Sequence, residues 1–185
     1  MAAAALLHGA AVRAAEVVFE GSRFDPVRTV DGQALRFSGA GKRTILFLDA
    51  YHAALYTPVR LSSFDALRKL DGPRVIELRL LRDAPLLLLE RVISDGVRRN
   101  TEPDRMPGLQ ERLHVLFETM RSAKSLMKGD VLEIVFSGGS TQLQLNRREV
   151  GAPIPGKDFN DALMSIWLGP EPIDAALKQH LLGDR

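Results

Sequence analysis

The chain is predicted to fold as an α+β domain, a mostly antiparallel sheet carrying helices over one face. Three observations lead there. Strand-like segments come first, then a pair of helical stripes, then strands again, then helices, which is the order of an α+β chain and not of alternating βαβ units. The stripes recur at helical spacing, whereas the strand-like segments are short and apolar or alternating. The 185 residues, 45% hydrophobic and 26% charged, are one domain's length with enough apolar material for a core.

Residues 1–15 are Ala-rich and apolar, with Val12 and Ala14 at the −3 and −1 positions of a processing site. They read as a signal peptide lacking its basic n-region, or as a disordered leader, and residues 16–185 as the folded domain. A short strand is expected at Val17–Phe19. Arg23–Gln33 is polar and turn-like, with Asp31-Gly32 as a hairpin signal. Leu35–Phe37 and Thr44–Tyr56 read as strands joined by a tight Gly39-Ala40-Gly41 turn, whose glycines supply φ > 0. Ile45, Leu46, Phe47 and Leu48 make the second strand apolar enough to be covered on both faces. Ser62 or Ser63 caps a helix over Phe64–Leu70, which Gly72-Pro73 ends. Val75–Leu81 is a strand with Val75, Ile76, Leu78 and Leu80 set against Arg74, Glu77 and Arg79.

Pro85 opens a helix whose apolar stripe is Leu86, Leu89, Val92, Ile93, Gly96 and Val97, with Glu90, Arg91, Ser94, Asp95 and Arg98 opposite. After a break at Asn100–Pro107, Leu109, Leu113, Leu116, Phe117 and Met120 form a second stripe, ending near Met127. Val131–Phe136, Thr141–Leu145 and a piece around Glu149-Val150 read as a meander turning at Gly138-Gly139 and Asn146-Arg147. Asp158 is the expected N-cap of a helix with Phe159, Ala162, Leu163, Ile166 and Trp167 on one face, stopped by Gly169-Pro170. Pro172 opens a last helix with Ile173, Leu177 and Leu181 inward.

Composition excludes several classes. A net charge of +2 with scattered Arg residues leaves no nucleic-acid footprint. The absence of cysteine removes disulfides and thiolate chemistry. None of His8, His52, His114 and His180 has a partner at a ligand spacing, so no metal site is expected. Nucleophile elbows, phosphate loops and dinucleotide fingerprints are missing, so no cofactor is expected either. No run beyond the leader is long enough to span a bilayer. The mature protein is expected to be soluble, and periplasmic or secreted if the leader is a signal, otherwise cytoplasmic.

Gly39-Ala40-Gly41-Lys42-Arg43 followed by Tyr51-His52-Ala53-Ala54-Leu55-Tyr56 resembles the chalcone isomerase-like family. Pro153-Ile154-Pro155-Gly156-Lys157-Asp158-Phe159 and Ile166-Trp167-Leu168-Gly169 supply a second anchor in the right order. The resemblance implies an open-faced β-sandwich in which a sheet and helices enclose a hydrophobic cleft. It implies that Arg43 lies in that cleft, where the family's catalytic members use the matching Arg to steady an oxyanion. The same group would equally hold a fatty-acid carboxylate.

The family's other polar positions are mostly replaced. Its strand Thr falls nearest Tyr51, its helical Tyr and Asn fall on Leu88 and Asp95, and its C-terminal Ser/Thr falls on Ile166, beside Ser165. The implied function is a non-catalytic binder of a hydrophobic anion such as a fatty acid, with Arg43, Tyr51 and Asp95 as ligand-binding candidates. The alternative is an intramolecular lyase closing chalcones to flavanones. Simpler roles compete: Arg43 as a surface residue, Tyr51 as core packing, and Asp95 as a helix-surface partner of Arg91, Arg98 or Arg99. Tyr56, five residues from Tyr51, must face the other side of the strand and reads as structural, and Trp167 reads as core.

Overall fold

The computed structural model describes residues 15–122 and 126–183, so all but Ala15 of the expected leader lies outside the described residues. β1 (Val17–Phe19) and β2 (Ser22–Phe24) form a hairpin of their own. β3 (Val27–Val30), β4 (Gln33–Ile45), β5 (Leu48–Thr57), β6 (Arg74–Leu80), β7 (Val131–Ser137), β8 (Ser140–Leu145) and β9 (Arg148–Pro155) pair antiparallel, each with the next, in one seven-stranded sheet. α1 (Phe64–Arg68) lies between β5 and β6. α2 (Leu86–Arg99) and α3 (Met106–Ser122) lie between β6 and β7, and α4 (Lys157–Leu168) and α5 (Ala175–Leu181) close the chain.

Strand alternation sorts the side chains onto two faces. Ala53, Leu55, Ile76, Leu78, Leu80, Leu132 and Ile134 share the main core with Ile93, Val97, Leu113, Leu163, Trp167 and Leu177 of the helices. Ala54, Tyr56, Val75 and Val135 point to the opposite face, where Phe24 of the small hairpin and Leu35 of β4 close a second core. The hairpin is fastened there by Ser22 Oγ, 2.8 Å from His52 Nδ1, and by Phe19 set edge-on to the His52 ring. The fold is thus the expected α+β arrangement, with helices over one face of an antiparallel sheet.

The Gly39-Ala40-Gly41 turn is a correction: these residues lie inside β4, which runs on unbroken to Ile45. The glycines are there because α5 lies directly on them. A Cβ at Gly39 would meet His180 O at 1.9 Å, and one at Gly41 would meet Leu177 Cδ1 at 2.7 Å. The turn is instead Leu46-Phe47, and Ile45 to Leu48 are exposed where coverage on both faces was expected. Arg23–Gln33 holds β2 and β3 around Asp25-Pro26, and only its Asp31-Gly32 signal marks a turn.

Arg74 and Glu77 are a second correction, because both are fully buried although the sequence set them against the apolar residues. β6 is a central strand with both faces covered, so its polar residues needed internal partners. Arg74 donates to Asn160 Oδ1 and to Asp161 Oδ1, each at 2.6 Å. Glu77 stands opposite Glu133 in the β6–β7 ladder, and Arg28 bridges them, at 2.8 Å to Glu77 and 2.5 Å to Glu133. Asp158 is the third: Gly156, at φ 111°, is the N-cap of α4, and Asp158 sits in its first turn, bound by both Arg112 Nη atoms at 2.7 Å.

Candidate functional site

Arg43 and Tyr51 are direct partners across the β4–β5 ladder, with Leu80 next to Tyr51 on β6. Cross-strand partners point the same way, so both side chains stand on the helix-covered face. The β4–β5 pairing that sets this register bulges at Arg43/Thr44. Tyr56 faces the second core, as a five-residue separation requires.

Two helices complete the surroundings. Arg43 Nη1 donates to Asp174 Oδ2 at 2.9 Å. Asp174 is the N-cap of α5, and its other oxygen accepts the Leu177 N–H at 3.0 Å. Trp167, near the end of α4, donates its indole N–H to Tyr51 Oη at 3.0 Å. The close seating of α5 on Gly39 and Gly41 is what brings Asp174 to Arg43.

The electrostatics follow from burial. Burial pushes the Tyr51 hydroxyl up to about 12, against the opposing pull of the Trp167 hydrogen bond and the Arg43 charge. Tyr51 therefore keeps its proton at any ordinary pH and is a hydrogen-bond donor there. Burial would also raise Asp174, but the Leu177 N–H and the Arg43 guanidinium outweigh it and hold the carboxyl below its usual range. At this site two donors are left without an acceptor: the buried Arg43 Nε–H, and the Tyr51 O–H, whose oxygen accepts from Trp167. An arginine fork with a spare donor beside a protonated tyrosine is chemistry suited to a carboxylate.

Of the residues singled out from sequence, the structure brings Arg43 and Tyr51 together and places Asp95 elsewhere. Asp95 lies on α2 in ion pairs with Arg98 at 2.6 Å and Arg91 at 3.9 Å, the helix-surface role. Sequence reasoning missed Asp174 and gave Trp167 a core role. Asp174 carried a local signal, an Asp just ahead of an apolar helix, but nothing local ties it to a residue 131 positions away. Trp167 is in the core, and its one polar atom is spent on Tyr51.

Farther along the same interior, Met120, Leu126, Leu132, Leu143, Leu145 and Val150 enclose a cavity of about 10 Å³, about the least that holds one water. A larger cavity, about 910 Å³, lies past the other end of α5, against β1, β4 and the end of β5. Val17, Phe19, Phe37 and Val59 give it apolar walls, Arg36 and Arg60 give it charge, and neither Arg43 nor Tyr51 lines it. Among the described residues no cluster of His, Asp or Glu could hold a metal ion, and no helix is long and apolar enough to cross a membrane.

Comparison with known proteins agrees with this architecture. No curated protein matches the chain. Among solved structures, the chain is similar to a crystal structure of a fatty-acid binding protein of Arabidopsis thaliana, with a TM-score of 0.68 and 13% identity. The similarity covers 91% of this chain and 96% of that one, and at such identity it concerns the fold. The model of the chalcone isomerase-like family matches residues 7–183, nearly the whole chain. By that match the chain belongs to the chalcone isomerase-like family.

Proposed function

We propose that this protein binds a hydrophobic anion, a fatty acid or a molecule of that kind, and does not cyclise chalcones. The observation that carries the reading is the pair of unused donors on Arg43 and Tyr51 in a largely buried site. Charged hydrogen bonds to a carboxylate there are worth more than in water. The fold shared with a plant fatty-acid binding protein supports it. Isomerase chemistry has less support. The positions where the family's catalytic members carry hydroxyls hold Leu88, half-exposed at the start of α2, and Ile166, buried against Gly96. On the same reading the protein works in the periplasm or outside the cell, as the leader of residues 1–15 suggests.

The cavity of about 910 Å³ favours a second location for the same ligand class, with Arg36 and Arg60 as the cations. It already has room for an acyl chain, whereas at the Arg43 site Asp174 of α5 and Trp167 of α4 already occupy one side of the guanidinium and of the hydroxyl.

Calorimetric titration of a long-chain fatty acid into wild type, Arg43→Ala, Arg43→Lys and Arg36→Ala decides between them. The expected loss for Arg43→Ala is about 1.5–3 kcal/mol, with partial recovery in Arg43→Lys because the fork is lost while the charge stays. A loss confined to Arg36→Ala moves the site to the cavity. No measurable binding by any of the four proteins ends the reading.

A further inference from the structure

Five hairpin turns among the described residues have two residues each, with both at positive φ: Glu20-Gly21, Asp31-Gly32, Leu46-Phe47, Gly138-Gly139 and Asn146-Arg147. Turns of this shape favour Gly, Asn and Asp, which tolerate the left-handed region. Two of the five comply at both positions, and Glu20-Gly21 and Asn146-Arg147 comply at one. Leu46-Phe47, at φ 46° and 67°, alone among these five complies at neither, and it places two large apolar side chains where they are most strained. Strain of this kind persists where function holds it.

These side chains are also in water. Leu46 is 84% and Phe47 99% exposed. β6 ends beside the turn, with the Leu81 N–H donating to Ala50 O, and the chain then enters α2, whose first turn shows Leu87 at 79% exposure and Leu88 at 50%. Met127, half-exposed, joins them ahead of β7, where the Gly129 N–H donates to Leu80 O. One end of the sheet thus carries a projecting apolar tip with apolar shoulders.

We propose that this end docks on a phospholipid bilayer, with Leu46 and Phe47 inserted at the headgroup boundary. A projecting two-residue tip suits a soft apolar medium. A stable dimer would need roughly 800 Å² from each partner, which a tip and three scattered side chains do not supply. Arg82 and Lys128 are exposed at the same end and form no ion pair among the described residues, so they are free for anionic headgroups. Of the acids there, Asp49 is paired with Lys42; Asp83 and Asp130 accept from the Lys128 N–H, the Met127 N–H and Asn146 and keep their charge, so the apolar tip carries most of the binding and the cations add a modest part. The inference does not rest on the ligand reading, although Arg43 lies only three residues before Leu46.

The test is flotation of the full chain with vesicles of phosphatidylcholine, alone and mixed with phosphatidylglycerol. Wild type is expected to float, more strongly with the anionic lipid. Leu46→Asn/Phe47→Gly restores favoured turn residues, so its melting temperature without lipid should equal or exceed that of wild type, while its partitioning falls roughly ten-fold or more. In a Phe47→Trp variant, brominated lipid should quench the new indole, whereas Trp167, buried in the core, stays unquenched. Failure of wild type to float, equal flotation of the double variant, or an unquenched Trp at position 47 overturns the proposal. So does a lipid-free dimer that the double variant dissociates, which would make this end a protein interface.

Discussion

Asp174 caps α5 with one carboxylate oxygen and neutralises Arg43 with the other, so it competes with any ligand carboxylate for the guanidinium. Asp174→Asn separates the two roles, because Asn is as good a cap but carries no charge. Under the proposed function this variant should bind fatty acid more tightly, by roughly three- to ten-fold, as expected for losing a partly screened internal ion pair. Its unliganded stability should fall by about 0.5–1 kcal/mol at neutral pH. The Asp174 carboxyl is depressed in the fold, so its contribution is present above the unfolded value of 3.8 and is lost as pH falls through the lower folded value. The stability gap between wild type and variant should therefore close in acid, as denaturant midpoints measured from pH 7 down to 3 would show. Arg43 and Tyr51 were legible one by one because a short motif marks them, but their pairing across β4 and β5 was not, since it depends on the Leu46-Phe47 turn. Asp174 and Trp167 were not, since each reaches the site through a tertiary contact that no local pattern records.

At the level of elements, helical stripes were the most readable feature. Ile93, Gly96 and Val97 of α2, and Leu109, Leu113, Leu116 and Met120 of α3, are buried as their spacing required. The β4–β5 hairpin was misread twice, for opposite reasons. Its glycines looked like a turn because close backbone approach and positive φ call for the same residue. Its real turn was hidden because Leu-Phe carries no turn chemistry at all. The close approach predicts an ordered pair of effects. Gly39→Ala drives a methyl into the His180 carbonyl, a backbone atom of α5 that cannot step aside alone. Gly41→Ala meets first the tip of the Leu177 side chain, which can turn away. Chemical denaturation should show a loss of at least about 3 kcal/mol for Gly39→Ala, with about 1–2 kcal/mol for Gly41→Ala. The first should also weaken the Arg43–Asp174 pair, because it lifts the helix that carries Asp174. Equal losses would mean that α5 is not pinned on Gly39.

Across the whole molecule, the second core hides an ionic network that ties the edge strand β3 to the two central strands. Arg28 of β3 donates to Glu77 of β6 and Glu133 of β7, both fully buried, and Arg79 Nη2 lies 2.7 Å from Glu77 Oε1. That last contact lacks hydrogen-bond geometry, and Glu77 Oε1, Glu133 Oε2 and the Tyr56 hydroxyl are all buried without a hydrogen-bond partner. Burial, with the neighbouring Glu133 charge, raises the Glu77 carboxyl above its ordinary value despite Arg79 and Arg28. Removing Arg28 alone strands carboxylates inside the fold, and breaking a buried network in this way costs about 3–5 kcal/mol. Arg28→Met should show that loss in denaturant at pH 7. A raised folded value means that the Glu77 contribution is present below the unfolded 4.5 and is lost as pH rises through the folded one. Without Arg28 that rise is larger, so the Arg28→Met penalty should shrink as pH is lowered toward 4.5 and Glu77 takes up its proton. Arg28→Met/Glu77→Leu/Glu133→Leu removes the charges together and should recover most of the loss, since an apolar core of similar volume replaces a buried triad without penalty. If the triple variant were no more stable than Arg28→Met, the network would be holding β3 in register through geometry that packing alone cannot supply.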